Sequence, residues 1–151
     1  MSTINAVDSP AENPGTLVVE RFFAHSPEKL WRSLTERPLL AQWMMSNDFE
    51  PAVGKKFQFR AEPQPNWNGV VDCEVVLVDP IERLSYIWGT GGAESGLQLV
   101  VAFTLTPTMG GTHVRMEQSG FGPDQIAAYN GANYGWNKML GGLERVLGEV
   151  N

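Results

Sequence analysis

The chain has 151 residues, enough for one domain with a full core, since a single core serves about 100–200 residues. Hydrophobic residues make up 42%, charged 19% and aromatic 10%, which excludes a disordered chain. The net charge of −6 argues against nucleic acid or an anionic membrane surface as the main partner, because both need a basic field. With 1 Cys and 2 His, an internal disulfide is excluded and a structural zinc site has too few ligands.

Met1 to Gly15 carries Asp8, Pro10, Glu12 and Pro14 and no apolar run. It lacks the basic start and apolar stretch of a signal peptide and reads as a loose tail, residues 1–15. The domain proper is expected over 16–151. No stretch approaches the roughly 18–20 apolar residues that span a bilayer. The expectation is a soluble, cytoplasmic protein with no membrane insertion.

Thr16 to Ala24 reads as a strand rich in Val and Phe. Ser26-Pro27-Glu28 starts a helix, with Ser as N-cap, Pro in the first turn and an acid near the positive end. Leu30, Trp31 and Leu34 form its apolar stripe. Pro38 restarts a second short helix that carries Leu39, Leu40 and Trp43.

From Phe57 to Ser119 the period becomes two. Phe57 and Phe59, then Val71, Cys73 and Val75, then Leu84, Tyr86 and Trp88 each share one strand face. Leu97, Leu99, Val101, Phe103 and Leu105 share another, and Val114, Met116 and Gln118 the last. Short turn-like connections make this an antiparallel meander with one apolar face. Gly89-Thr90-Gly91-Gly92 reads as a flexible loop.

After Pro123 the period becomes helical. Ile126, Tyr129, Asn133, Trp136, Leu140, Leu143, Leu147 and Val150 form one stripe. Gly131, Gly135, Gly141, Gly142 and Gly148 interrupt it, each costing about 0.8–1 kcal/mol relative to Ala. Such a helix needs tertiary support, with bare backbone either against the sheet or facing a void. The expected fold class is α+β: a curved antiparallel sheet of about six strands wrapped around a long C-terminal helix, with two short helices after the first strand.

The series Val19-Glu20-Arg21-Phe22-Phe23-Ala24, Ser26-Pro27-Glu28-Lys29-Leu30-Trp31, Leu34-Thr35, Leu40-Ala41-Gln42-Trp43 and Val53-Gly54 resembles a known family. Leu84-Ser85-Tyr86-Ile87-Trp88, Gly111-Thr112, Ser119-Gly120-Phe121, Gly135-Trp136, Leu140 and Leu143 continue it in order. The chain is similar to START-like (SRPBCC, birch-pollen-allergen-like) domains of the heat-shock protein 90 ATPase activator homologue type. The resemblance covers about residues 16–150 and implies a helix-grip fold with a cavity between sheet and C-terminal helix. Two positions depart from it: members often carry His where Gln118 stands, and a second Gly where Lys55 stands.

The cavity is the natural functional site. Its expected ligand-binding wall is Phe57, Phe59, Tyr86, Trp88, Leu99, Val101, Phe103, Met116 and Gln118 from strands. Tyr129, Asn133, Trp136 and Leu140 face them from the helix. The same residues could equally fill a closed core, and at this point both readings stand. The polar members would orient a mostly apolar ligand. Cys73 reads as an inert buried thiol, His25 and His113 as surface residues, and Asp72 and Glu74 as a solvated face. Arg21, a charge within an apolar strand, reads as a structural ion pair, with an anchor for an acidic ligand as the sharper alternative. No nucleophile elbow, phosphate-binding loop or zinc-protease helix is present.

No catalytic residue, metal or cofactor is expected. The leading expectation is a protein that binds a small hydrophobic or aromatic molecule. The resemblance adds two alternatives, a co-chaperone that regulates heat-shock protein 90 ATPase in a stress response and a cavity enzyme of hydrolase or cyclase type.

Overall fold

In the computed structural model, residues 15–65, 67–90 and 97–150 are described. The tail expected over residues 1–15 therefore falls, apart from Gly15, outside the described residues, as do Gly91 and Gly92 of the expected loop.

Thr16–Phe23 forms strand β1. Helix α1, Pro27–Thr35, begins as its sequence demands: the Ser26 hydroxyl accepts from the Lys29 amide at 3.2 Å, and Pro27 and Glu28 occupy the first turn. Helix α2 is Arg37–Trp43. Its Trp43 indole donates to the Ser33 carbonyl at 2.9 Å, which locks the two short helices together. Strands β2 (Ser46–Asn47), β3 (Lys56–Arg60), β4 (Val70–Asp79), β5 (Arg83–Thr90), β6 (Leu97–Thr108) and β7 (Gly111–Ser119) follow, then helix α3, Ile126–Glu149.

The strands make one antiparallel sheet in the order β1-β7-β6-β5-β4-β3-β2. The sheet is curved and holds α3 in its concavity, a helix-grip arrangement. It has seven strands rather than six because β2, two residues long, pairs with β3 through Ser46–Arg60 and Asn47–Phe59. A bulge in β4 between Val75 and Leu77 interrupts its register with β5, and such bulges bend a strand.

The expected period-two alternation holds for the apolar residues, with Ser85 of β5 buried out of phase. Phe57, Phe59, Val71, Cys73, Val75, Leu84, Tyr86, Trp88, Leu99, Val101, Phe103, Leu105, Val114, Met116 and Gln118 are all buried on the concave face. Phe49, in the segment between β2 and β3, joins them and sets its ring edge-on to Phe57 at 5.0 Å. Burying such a face supplies most of the stability, at about 25 cal/mol per Å² of apolar surface.

The helical stripe needs correction at its beginning. Trp136, Leu140, Leu143, Val146 and Leu147 are buried, Tyr129 is half-buried, but Ile126 and Asn133 are exposed. Among the described residues no helix is long and apolar enough to cross a membrane.

Candidate functional site

Two periodicities build the site. Alternation along β5 and β7 turns Trp88 and Gln118 to the concave face. Helical spacing gathers Ala128, Gly131, Ala132, Gly135 and Met139 on one side of α3. Between them lies a cavity of about 650 Å³, lined by those seven residues together with Trp67, Thr90 and Trp136. Small-molecule sites occupy about 300–1,000 Å³.

The glycines are what open this space. Apart from the helix's own backbone, a β-carbon at Gly131 or Gly135 would meet nothing within 4 Å. Alanine would fit at both and would favour the helix by about 0.8–1 kcal/mol each. The helix gives up that stability and presents bare backbone to the cavity. Gly142 differs: a β-carbon there would lie 3.8 Å from the Trp43 β-carbon, so that glycine sits at a packed contact.

Trp67 comes from the connection between β3 and β4. A reciprocal backbone pair, Gln64 N to Trp67 O at 2.7 Å and Trp67 N to Gln64 O at 3.1 Å, shapes that segment. The Trp67 indole donates to the Val70 carbonyl at 3.1 Å. Gly69 returns the chain to β4 with φ +84, and a side chain there would strike the Ala61 carbonyl. Only glycine meets both demands.

One buried hydrogen bond sets the polarity of the wall. The Trp136 indole N–H donates to Gln118 Oε1 at 2.9 Å. An indole can only donate, so the Gln118 amide must turn its oxygen to Trp136 and its nitrogen the other way. That nitrogen finds no acceptor among the described residues. The Trp88 and Trp136 rings lie 5.5 Å apart at 49°. No residue of this lining carries a formal charge.

Of the expected wall, the structure brings Trp88, Gln118 and Trp136 to the cavity. Phe57, Phe59, Tyr86, Leu99, Val101, Phe103, Met116 and Leu140 are buried in the core and do not border it. Their rings interlock: Tyr86 meets Phe57 at 5.2 Å, Phe59 at 6.1 Å and Phe103 at 6.3 Å. Tyr129 turns aside to set its ring edge-on to Phe121 at 5.4 Å. Asn133 takes the solvent side, where its carbonyl and side-chain oxygens accept from the Asn137 amide at 2.8 and 3.0 Å. Trp67, Thr90, Ala128, Gly131, Ala132, Gly135 and Met139 complete the lining without having been singled out as wall residues. The glycine deficit of the helix was the sequence signal that pointed to two of them, Gly131 and Gly135.

The other candidates settle as follows. Cys73 is buried, and burial, reinforced by Asp72 and Asp48, pushes its thiol well up, so it is no nucleophile. Burial, with Cys73 nearby, likewise raises the Tyr86 hydroxyl, which makes no hydrogen bond among the described residues. Arg21 has no ion pair there either; it is half-buried against Gly141, so the ion-pair expectation is corrected. His25 bridges elements, with Nδ1 3.2 Å from Lys29 Nζ and Nε2 3.7 Å from Glu144 of α3. His113 pairs with Glu20 at 2.9 Å on the outer face. Among the described residues no group of three His, Cys, Asp or Glu side chains is placed to hold a metal.

A second hollow of about 510 Å³ lies at the other end of β5, lined by Pro27, Glu28, Pro80–Arg83 and Thr104–Pro107. It is bordered by the Pro80–Glu82 turn, the ends of β5 and β6 and the start of α1, with three charges and no buried polar group.

The family model described as "Activator of Hsp90 ATPase homolog 1-like protein" matches residues 24–148. Among solved structures, the chain is similar to protein MLL2253 from Mesorhizobium loti, with 51% identity over 90% of this chain and 98% of that one, and a TM-score of 0.83. It is also similar to protein BH1534 from Bacillus halodurans, at 24% identity over 87% of this chain and 96% of that one, with a TM-score of 0.72. DynU16, from the dynemicin biosynthetic locus, is 23% identical over 88% of this chain, which spans only 47% of that protein, with a TM-score of 0.73. The latter two likenesses concern the fold. No curated protein matches the chain.

Proposed function

The chain belongs to the Activator of Hsp90 ATPase homolog 1-like family, and from that premise we propose that it binds a small hydrophobic or aromatic molecule between the sheet and α3. The observation that carries this reading is the cavity of about 650 Å³ walled by three tryptophans and by the bare backbone of Gly131 and Gly135. A helix that keeps glycine where alanine would fit has given up stability for volume. Binding is favoured over turnover because the lining offers one hydroxyl, one amide and three indoles. None of these is a general acid or base near neutral pH.

Two-dimensional NMR with a panel of fatty acids, sterols and flavonoids tests the proposal. Ligand-dependent shifts confined to Trp67, Trp88, Gly131, Gly135 and Trp136 are expected. Gly135→Leu should keep the fold, fill the cavity and abolish those shifts. An unchanged spectrum across the panel refutes the reading. Chaperone ATPase regulation, which the family description raises, would act through the outer surface. A stimulation of chaperone turnover that Gly135→Leu leaves intact would favour that role.

A further inference from the structure

Resting on the binding reading, we propose that the cavity takes an uncharged aromatic molecule that carries a carbonyl, and that the Gln118 side-chain amide donates to its oxygen. The first observation is a donor without a partner. Gln118 is 2% exposed, borders the cavity, and spends its oxygen on the Trp136 indole. Its two amide hydrogens find no protein acceptor among the described residues. Buried donors are almost always satisfied, and a cavity occupant is the partner this geometry leaves open.

The second observation is shape. Trp67, Trp88 and Trp136 supply flat apolar faces, and the glycine backbone of α3 lets a flat ring approach more closely than any side chain would. The third is charge. With no cation in the lining, a carboxylate would lose its hydration without a counter-charge, whereas a ketone needs only the hydrogen bond that Gln118 offers. Trp136 acts as a positioning residue, since its donor-only nitrogen dictates which end of the amide remains free.

The test uses three probes of one shape: 2-benzoylnaphthalene, its carbonyl-free counterpart 2-benzylnaphthalene, and 6-benzoyl-2-naphthoate. Affinities are read from quenching of tryptophan fluorescence, and the ¹⁵N-labelled Gln118 side-chain amide is followed by NMR. The ketone is expected to bind about tenfold tighter than the hydrocarbon, with a downfield shift of the Gln118 amide protons. The naphthoate is expected to bind about tenfold more weakly than the ketone. Gln118→Met keeps the length of the side chain and removes the donor, so it should erase the preference for the ketone. Equal affinity for ketone and hydrocarbon, or tightest binding of the naphthoate, overturns the inference while the binding function stands. A preference that survives in Gln118→Met overturns it as well. Failure of all three probes overturns the inference, and only an unchanged spectrum across the wider panel overturns the binding function with it. Should Gln118→Met not fold, the wild-type affinity ratio and the Gln118 amide shift decide alone.

Discussion

Helix α3 divides at Trp136 into two lengths that obey different rules. Before it, Ala128, Gly131, Ala132 and Gly135 leave the cavity side small, while Ile126 and Tyr134 stand exposed. After it, Leu140, Leu143, Val146 and Leu147 are buried, and the helix packs on α1, α2 and β1. Gly142 there lies against Trp43, and the Glu144 carboxylate reaches His25. A long helix is stabilised mainly by tertiary packing of its apolar face. Its second length can therefore anchor the whole element, and its first is free to serve as the wall of a cavity. Trp136 belongs to both, being buried in the core yet bordering the space.

The division is broken most severely at its pivot. Trp136→Ala removes ring contacts to Trp88 and Phe103 and leaves Gln118 Oε1 buried without its donor. Destabilisation of about 3–5 kcal/mol is expected from urea unfolding. Next comes a pair of substitutions one helical turn apart. Leu143→Ala lies in the anchoring length and should lose about 2–5 kcal/mol. Met139→Ala lies on the half-buried cavity wall and should lose about 1 kcal/mol or less. Equal losses at the two positions would mean that the cavity side is packed as tightly as the anchor.

The sheet was legible because a face buried along its length forces alternation, and each buried apolar residue from Phe57 to Met116 keeps that parity within its strand. Strand β2 was not, since Ser46–Asn47 has no hydrophobic pattern and is shaped by side-chain contacts such as Asn47 Oδ1 accepting from the Phe49 amide at 3.2 Å. At the site, Trp88, Gln118 and Trp136 follow from alternation and helical spacing. Trp67 does not, because it lies in an irregular connection whose position is set by the Gln64 backbone pair. Asn133 shows the limit of periodicity from the other side. It falls on the apolar stripe, yet helical spacing fixes only a direction around the axis and not how far the sheet lies from it. Where the helix stands off the sheet, the stripe position is free to meet water.

A smaller effect with the opposite sign sharpens the contrast. Gly131→Ala adds a methyl that meets nothing within 4 Å outside the helix backbone, so it should stabilise the protein by about 0.8–1 kcal/mol. For a chain of this size that corresponds to a rise of about 2–4 °C in Tm. Calorimetry checks it, and a destabilised variant would show that the glycine is needed for packing rather than for space.

The smallest expected change concerns the core behind the cavity. Tyr86 is enclosed by Phe49, Phe57, Phe59 and Phe103, and its hydroxyl has no hydrogen-bond partner among the described residues. A buried hydroxyl without a partner costs about 1–3 kcal/mol in desolvation, whereas the phenyl ring of Tyr86→Phe would keep every ring contact. The substitution should therefore be neutral or stabilising by up to about 1 kcal/mol in urea unfolding, in contrast to the usual loss for a buried tyrosine whose hydroxyl is bonded. A loss of 1 kcal/mol or more would show that this hydroxyl is satisfied in solution, by ordered water reaching behind the aromatic cluster, and that the polar interior extends beyond the Gln118–Trp136 pair.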